Sequence, residues 1–266
     1  MRARKRFGQH FLHHRAILAQ IADALGPAPG DLVLEIGPGR GALTEALASR
    51  GARVVAIEKD RDLVPVVRQR LPGVTVIEGD ALELDWRAAA GAGPQDDLLV
   101  TGNIPYNITT PLIDRALAPP RPRRIVFLVQ KEVAERIVAR PGGKTYGALS
   151  VGVQAVATIE KLFRVPAGAF HPPPQVDSSI IRITPLATPL VSDARLPEFR
   201  RLVVGLFGFR RKQLSRGLRE LTGWPVEPVD AVIRAAGLEA ESRAETIPPD
   251  GFERLLASLI DQGWGG

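Results

Sequence analysis

Leu32-Val-Leu-Glu35-Ile-Gly37-Pro-Gly39-Arg-Gly41 is the stretch on which the fold turns. A short apolar run breaks into alternating glycines, and a helical pattern, Ala42–Arg50, follows at once. Glycine at such a turn permits positive φ and removes the Cβ that would hold a ligand away from the backbone. Working outward, similar runs recur at Arg53–Ile57, Val74–Ile77, Leu98–Thr101, Ile125–Gln130, near Val151–Thr158 and at Ser179–Ile183. They are rich in Val, Ile and Leu and mostly do not alternate with polar residues, as strands buried on both faces of a parallel sheet require. Helical patterns lie between them at Ala16–Leu25, Arg61–Arg70, Pro111–Leu117 and Lys131–Ala139. Strand–helix alternation of this kind predicts an α/β fold with a Rossmann-like doubly wound sheet.

The pattern changes after Pro185. Pro185-Leu-Ala-Thr-Pro-Leu reads as a linker, and from Pro197 onward every patterned stretch is helical: Glu198–Phe207, Arg211–Leu221, Val229–Ala236 and Gly251–Gln262. The expected organisation is an α/β domain over residues 1–185 and a small all-helical domain over 186–266.

The composition of the 266 residues, 45% hydrophobic and 24% charged, is that of a globular protein with enough apolar side chain for a core. The longest stretch free of charged residues, Leu98–Ile113, is too short for a transmembrane helix and contains two Asn and two Pro. Cysteine is absent, so disulfides, thiolate metal sites and a thiol nucleophile are excluded, and the four His show no metal-ligand spacing. No metal is expected. Charge is unevenly placed on a chain of net +6: residues 195–219 carry eight basic groups and one acid, Glu198, and residues 1–20 carry five basic groups and no acid. Everything else has an acidic balance. Two basic patches on an acidic body point to a polyanionic partner, most simply nucleic acid.

Polar residues close successive apolar runs: Glu35 and Gly37, then Glu58, then Asp80, then Asn103. In an open α/β sheet, ligands bind outside the carboxyl ends of the strands, so these residues are expected to line one crevice. Gly37-x-Gly39-x-x-Ala42 with Glu58 about 20 residues on also fits a dinucleotide fingerprint. Asp80, placed to accept from an adenine amino group, and Asn103-Ile-Pro-Tyr106 favour an adenosyl cofactor with a cationic sulfonium over a nicotinamide.

Glu-Ile-Gly-Pro-Gly-Arg-Gly with Glu58 and Asp80 resembles class I S-adenosylmethionine (SAM)-dependent methyltransferases. Asn103-Ile-Pro-Tyr106 is similar to the Asn/Asp-Pro-Pro-Tyr motif of enzymes that methylate exocyclic amino groups of bases. Arg6-Phe-Gly-Gln-His-Phe-Leu12 resembles the opening of the KsgA family of rRNA adenine dimethyltransferases. The same family is matched by Gln130–Arg136, Tyr146–Ser150, Phe170-His-Pro-Pro-Pro-Gln-Val-Asp-Ser178, Phe209–Lys212 and Arg243–Thr246. Two positions depart from it: His10 stands where Asn is usual, and Gln213 where Thr is usual.

The resemblance implies methyl transfer from SAM to N6 of two adjacent adenosines in the 3′-terminal hairpin loop of 16S rRNA, within the 30S particle. It also implies a role in small-subunit biogenesis and a cytoplasmic protein; the sequence shows no signature of homo-oligomerisation, so a monomer is expected. Cofactor-binding residues would be Gln9, His10, Leu12, Gly37, Gly39, Glu58, Asp80 and Asn103. Asn103 and the Ile104 carbonyl would accept the two N6 hydrogens, Pro105 would fix the turn, and Tyr106 and Phe170 would provide faces for an extruded base. Arg210, Arg211 and Lys212, expected at the start of a helix, would contact RNA phosphates. The nearest alternative is a 23S rRNA adenine methyltransferase of the macrolide-resistance type, which shares the core and the Asn-Ile-Pro-Tyr motif. A non-catalytic RNA-binding assembly factor is the other.

Overall fold

The computed structural model describes residues 9–265. Arg2, Arg4, Lys5, Arg6, Phe7 and Gly8, which carry most of the first basic patch and part of the opening motif, lie outside the described residues. The chain divides into two compact units. One takes the chain up to Ala134 together with Ile159–Pro185, and the other takes Glu135–Thr158 together with Leu186 onward.

The first unit opens with β1 (Phe11–Leu12) and α1 (Arg15–Leu25), then alternates β2 (Leu32–Ile36), α2 (Ala42–Ala48), β3 (Arg53–Glu58), α3 (Val64–Arg70), β4 (Thr75–Glu78), α4 (Trp86–Ala90), β5 (Leu98–Asn103), α5 (Thr109–Ala116) and β6 (Arg124–Gln130). After α6 (Lys131–Ile137) and α7 (Ala148–Gln154) come β7 (Ala157–Val165), β8 (Phe170–His171) and β9 (Ser178–Pro185). The main sheet has seven strands in the order β4-β3-β2-β5-β6-β9-β7. β2 pairs in parallel with β3 and β5, β3 with β4 and β5 with β6, while β9 runs antiparallel to β6. Strand order therefore reverses beside β2, and the switch point lies between β2 and β5, where α/β sheets bind ligands.

Burial explains why these strands lack alternation. Every residue of β2 is buried, and in β6 everything from Ile125 to Val129 is. On one face, Leu18, Ile21, Ala22 and Leu25 of α1 pack with Val33, Leu99, Val126 and Leu128 from the sheet. Close contact between β2 and β5 depends on Gly102: a Cβ there would lie 2.5 Å from the Ile36 carbonyl oxygen.

The second unit is all-helical. It holds α7, α8 (Leu196–Gly208), α9 (Leu214–Thr222), α10 (Val226–Ala235) and α11 (Pro249–Asp261). Its core includes Phe199, Leu202, Leu206, Leu218, Val232, Phe252 and Leu255, all at most 2% exposed. A single boundary at residue 185 is thus only part of the division. Tyr146 is fully buried in this unit, its hydroxyl donates to the Ile247 carbonyl at 2.8 Å, and its ring meets Phe207 edge-on at 6.0 Å. These contacts, with Leu149, Val151 and Val153 of α7 buried, tie Glu135–Thr158 to the C-terminal helices.

Two sequence expectations are corrected here. The stretch near Val151–Thr158 is not one strand: its first part is the end of α7, and β7 starts at Ala157. Val151 and Val153 imitate strand periodicity, but Ser150 Oγ accepts the Gly147 N–H at 3.1 Å and closes a first helical turn. Arg210, Arg211 and Lys212 do not start a helix. They precede α9, in a turn where the Lys212 N–H donates to the Phe209 carbonyl at 2.8 Å. Leu214 and Ser215 give their N–H groups to the Ser242 and Ala240 carbonyls, so the helix begins only at Leu214.

Gly102→Ala is expected to lower the stability of the protein by about 1–3 kcal/mol, the cost of overpacking a rigid interior. Urea denaturation of the variant measures it, and an unchanged midpoint would show that β2 and β5 can separate without penalty.

Candidate active site

Parallel pairing puts the carboxyl ends of β4, β3, β2 and β5 on one edge of the sheet. Asp80 follows β4, Glu58 ends β3, Gly37 follows β2 and Asn103 ends β5. A cavity of about 240 Å³ opens there. Gly37, Gly39, Glu58, Asp80 and Asn103 all line it, as do Gln9 and His10 from the N-terminal segment and Ile104, Pro105 and Tyr106 after β5. Leu12 lines a smaller adjoining pocket with Phe11, Glu35 and Arg40.

Gly37, Gly39 and Gly41 all have positive φ, at 69°, 59° and 80°. Their turn exposes backbone where a side chain would otherwise stand. At Gly39 a Cβ would also crowd the Phe11 ring, at 3.1 Å. The Gly39 N–H donates to Glu58 Oε2 at 3.0 Å and the Asp60 N–H to Glu58 Oε1 at 2.8 Å, which fixes that carboxylate over the turn. Burial nevertheless raises the Glu58 pKa, because the two N–H donors only partly offset the loss of water.

Asp80 is tuned the other way. Its burial is outweighed by an ion pair with Lys59 and by the Leu82 N–H, donating at 3.0 Å, so it is held below the ordinary carboxylate value. Glu35 is 1% exposed, and burial, reinforced by the neighbouring Glu58 charge, pushes its carboxyl up to about 7. Its Oε2 is buried without a hydrogen-bond partner among the described residues.

Around Asn103 the N-terminal segment and the loop after β8 converge. Asn103 Nδ2 donates to the His10 carbonyl at 2.7 Å, which orients the amide and leaves Oδ1 as its acceptor. The His10 ring stacks against Tyr106, with centroids 5.9 Å apart and planes at 24°. His10 Nδ1 lies 2.8 Å from the Pro172 carbonyl oxygen and must be the donor, since that oxygen can only accept. The Tyr106 hydroxyl is 2.7 Å from Ser178 Oγ, and burial raises its pKa, so the phenol is neutral around pH 7. Gln9 Nε2 donates to Asp60 Oδ2 at 2.8 Å, and β1 pairs antiparallel with β8.

Phe170 does not join this group as an open face. It is 3% exposed and packs in the core cluster with Leu12, Leu128, Val165 and Ile180. Pairing of Leu12 with Phe170 between β1 and β8 turns the ring inward, where burying an aromatic is the more favourable outcome. Arg210 and Lys212 are also less free than a solvated basic patch implies. Arg210 pairs with Glu245 at 2.5 Å and donates to the Lys144 carbonyl, and Lys212 pairs with Glu220 at 2.6 Å. Arg211 is exposed.

Lys59, Asp60, Phe11 and Ser178 belong to the site but were not singled out from the sequence. Ser178 closes the quoted Pro-rich motif and Lys59 adjoins Glu58, so adjacency was the available signal. Phe11 likewise stands inside the quoted opening motif, whereas Asp60 carried no signal, because its role depends on where the N-terminal segment crosses the sheet edge.

Fold and cavity together define a class I SAM-dependent methyltransferase architecture. A model of the ribosomal RNA adenine dimethylase family matches residues 1–261, and the chain belongs to that family. It is 47% identical to the ribosomal RNA small subunit methyltransferase A of Thermosynechococcus vestitus, with 93% of each chain covered. Among solved structures it is similar to a dimethyladenosine transferase from Plasmodium falciparum, with TM-score 0.83, 27% identity, and 96% and 98% of the two chains covered. The 23S rRNA methyltransferase ErmE matches with TM-score 0.71 and 29% identity over 94% and 99%. Among the described residues, no group of side chains could hold a metal ion, and no helix is long and apolar enough to cross a membrane.

Glu35 generates a prediction about pH. Its pKa is higher in the folded state (about 7) than its ordinary value of 4.5, so the native protein binds the proton more tightly. Its contribution is fully retained below about pH 4.5 and lost as pH rises through 7, a decline on the order of 3 kcal/mol at most. Glu35→Gln is expected to flatten that decline, leaving the same-signed contribution of Glu58. Unfolding free energies measured between pH 4 and 8 test this, and parallel profiles for the two proteins would refute it.

Proposed function

We propose that this protein transfers methyl groups from SAM to N6 of two adjacent adenosines in the 3′-terminal hairpin loop of 16S rRNA, acting on the 30S particle. The observation that carries this reading is the oriented Asn103 amide at the switch point, beside Ile104, Pro105 and Tyr106. The strong likeness to small-subunit rRNA methyltransferases supports the small subunit over the large one.

The cavity suits SAM chemically. The glycine turn admits close approach, Glu58 can accept from the ribose hydroxyls, and Asp80 can accept from the adenine amino group. The buried, unpartnered Glu35 Oε2 leaves acceptor capacity near the glycine turn. When bound, SAM supplies an electrophilic methyl group on a sulfonium centre.

An adenine N6 is a poor nucleophile, because its lone pair is delocalised into the ring. Asn103 Oδ1 and the Ile104 carbonyl would take its two hydrogens and localise that pair toward the methyl group. Pro105, at φ −57° and ψ 133°, fixes the turn that brings these acceptors together. Tyr106, held by Ser178 and backed by His10, offers its ring to the base. The gain comes from positioning and preorganised acceptors. No strong general base is needed, because N6 becomes acidic once the new bond forms and sheds its proton to solvent, with S-adenosylhomocysteine as the other product. Phe170 could serve as a second face only after leaving its buried position.

RNA contacts are assigned to the helical unit. Arg211 is joined by Arg216 and Arg219 of α9, both exposed, whereas Arg210 and Lys212 are held in ion pairs. We place the protein in the cytoplasm as a monomer with a role in small-subunit biogenesis.

Incubation with labelled SAM and either 30S or 50S particles tests the reading. Dimethyladenosine in 16S rRNA is expected, and label confined to 23S rRNA would overturn it. Asn103→Ala should lower turnover by at least tenfold while RNA binding changes far less, since the amide acts where the transition state forms. Near-normal turnover would remove that role.

Replacing Arg211, Arg216 and Arg219 together by Ala should weaken 30S binding. The log–log salt dependence should flatten by up to roughly one unit per lost phosphate contact, with SAM affinity unchanged. Identical salt slopes for variant and wild type would show that these residues are merely solvated.

A further inference from the structure

Of the three tryptophans, Trp86 is buried in α4, with its indole N–H donating to the Ala81 carbonyl at 2.7 Å. The other two, Trp224 and Trp264, are half-buried and line a cleft of about 360 Å³ within the helical unit, with Arg201 and Leu221. That volume is within the range of about 300–1,000 Å³ typical of small-ligand sites. The Arg201 guanidinium lies over the Trp264 ring, 4.3 Å from its centroid. Val204, 63% exposed, is one turn further along α8.

Glu198 stands one turn before Arg201 on α8. Its Oε2 is buried and has no hydrogen-bond partner among the described residues. A Cβ on Gly265, which lines the cleft, would lie 3.6 Å from Glu198 Cγ and 3.7 Å from Arg201 Nη2, so the Glu198 methylenes and the Arg201 guanidinium both pack against that glycine. The stretch of chain that supplies Arg201 is basic: between Arg195 and Arg219 it has eight basic residues and one acid, Glu198, with Arg210 and Lys212 held in ion pairs.

We propose that this cleft is a stacking subsite for an unpaired RNA nucleobase. Indole faces and an arginine plane are the groups on which single-stranded bases stack. The basic stretch attracts the phosphate backbone of any such strand. Such platforms accept every base and favour those that stack most strongly, so a purine with two fused rings is held better than uracil. The inference rests on the rRNA reading above, and it gives the helical unit a contact with loop nucleotides in addition to phosphates.

The test uses the full-length protein and short single-stranded oligonucleotides. A Trp86→Phe background restricts fluorescence to the two cleft tryptophans. Oligoadenylate is expected to quench their emission and to bind at least fivefold more tightly than oligouridylate. Trp264→Ala should weaken oligoadenylate binding roughly tenfold, within the stacking contribution measured for aromatic platforms. Trp264→Phe should restore most of it, which separates stacking from a folding defect.

Emission that does not respond to oligoadenylate, or equal affinity of wild type and Trp264→Ala, would overturn the proposal. So would quenching by RNA-free ribosomal proteins alone, which would make the cleft a protein-docking site. Wild-type methylation of 30S particles is measured in the same preparation. Methylation with silent tryptophans defeats the cleft alone, whereas absent methylation defeats the functional reading.

Discussion

The close approach of β2 and β5 at their carboxyl ends is the constraint on which the site depends. Gly102 brings its backbone against the Ile36 carbonyl, where any Cβ would collide. The next residue on one strand is Gly37 and on the other Asn103, so the glycine turn and the amide acceptor face one another across the switch point. Cofactor and base would each contact one of these strands, and the distance between them is set by a backbone contact rather than by mobile side chains. Preorganisation of this kind is where an enzyme without a strong general base gains its rate.

Charge in the cavity is arranged with the same economy. Glu35, Glu58 and Asp80 converge on one sheet edge, and like charges at such spacing would repel. Glu58 is held by two backbone N–H donors, Asp80 by Lys59 and a backbone N–H, and Glu35 is pushed toward its protonated form around neutral pH. Three carboxyl groups thus coexist by three physical routes. The N-terminal segment crosses this edge and is fastened to it from both sides, by Gln9 to Asp60 and by the His10 carbonyl to Asn103. His10 touches Tyr106 and Pro172 as well, so a residue assigned from its motif to the cofactor also packs against the residues that follow β5 and β8.

Much of this was legible in the chain. Buried parallel strands announce themselves as unbroken apolar runs, and the residues that close them lie together because parallel strands share an edge. Glu58, Asp80 and Asn103 could therefore be placed in one crevice before any contact was known. The failures also have definite causes. Val151 and Val153 mimicked a strand because side-chain periodicity over a few residues cannot report that Tyr146 and α7 are captured by distant helices. Phe170, read as a second stacking face, lies in the core, which its motif could not show because pairing with β1 from far along the chain turns the ring inward.

Sequence alone determined the α/β class, the glycine turn, the strand-end residues and the helical C-terminal portion, because each arises from local periodicity and from residues near in the chain. Tertiary structure decided the rest. It assigned Glu135–Thr158 to the helical unit, oriented the Asn103 amide through His10, and placed Trp224 and Trp264 on one cleft with Arg201. It also separated exposed Arg211 from Arg210 and Lys212, whose charges are taken by Glu245 and Glu220. These outcomes depend on partners tens of residues away, and no local pattern specifies which of many polar and aromatic groups will meet once the chain is packed.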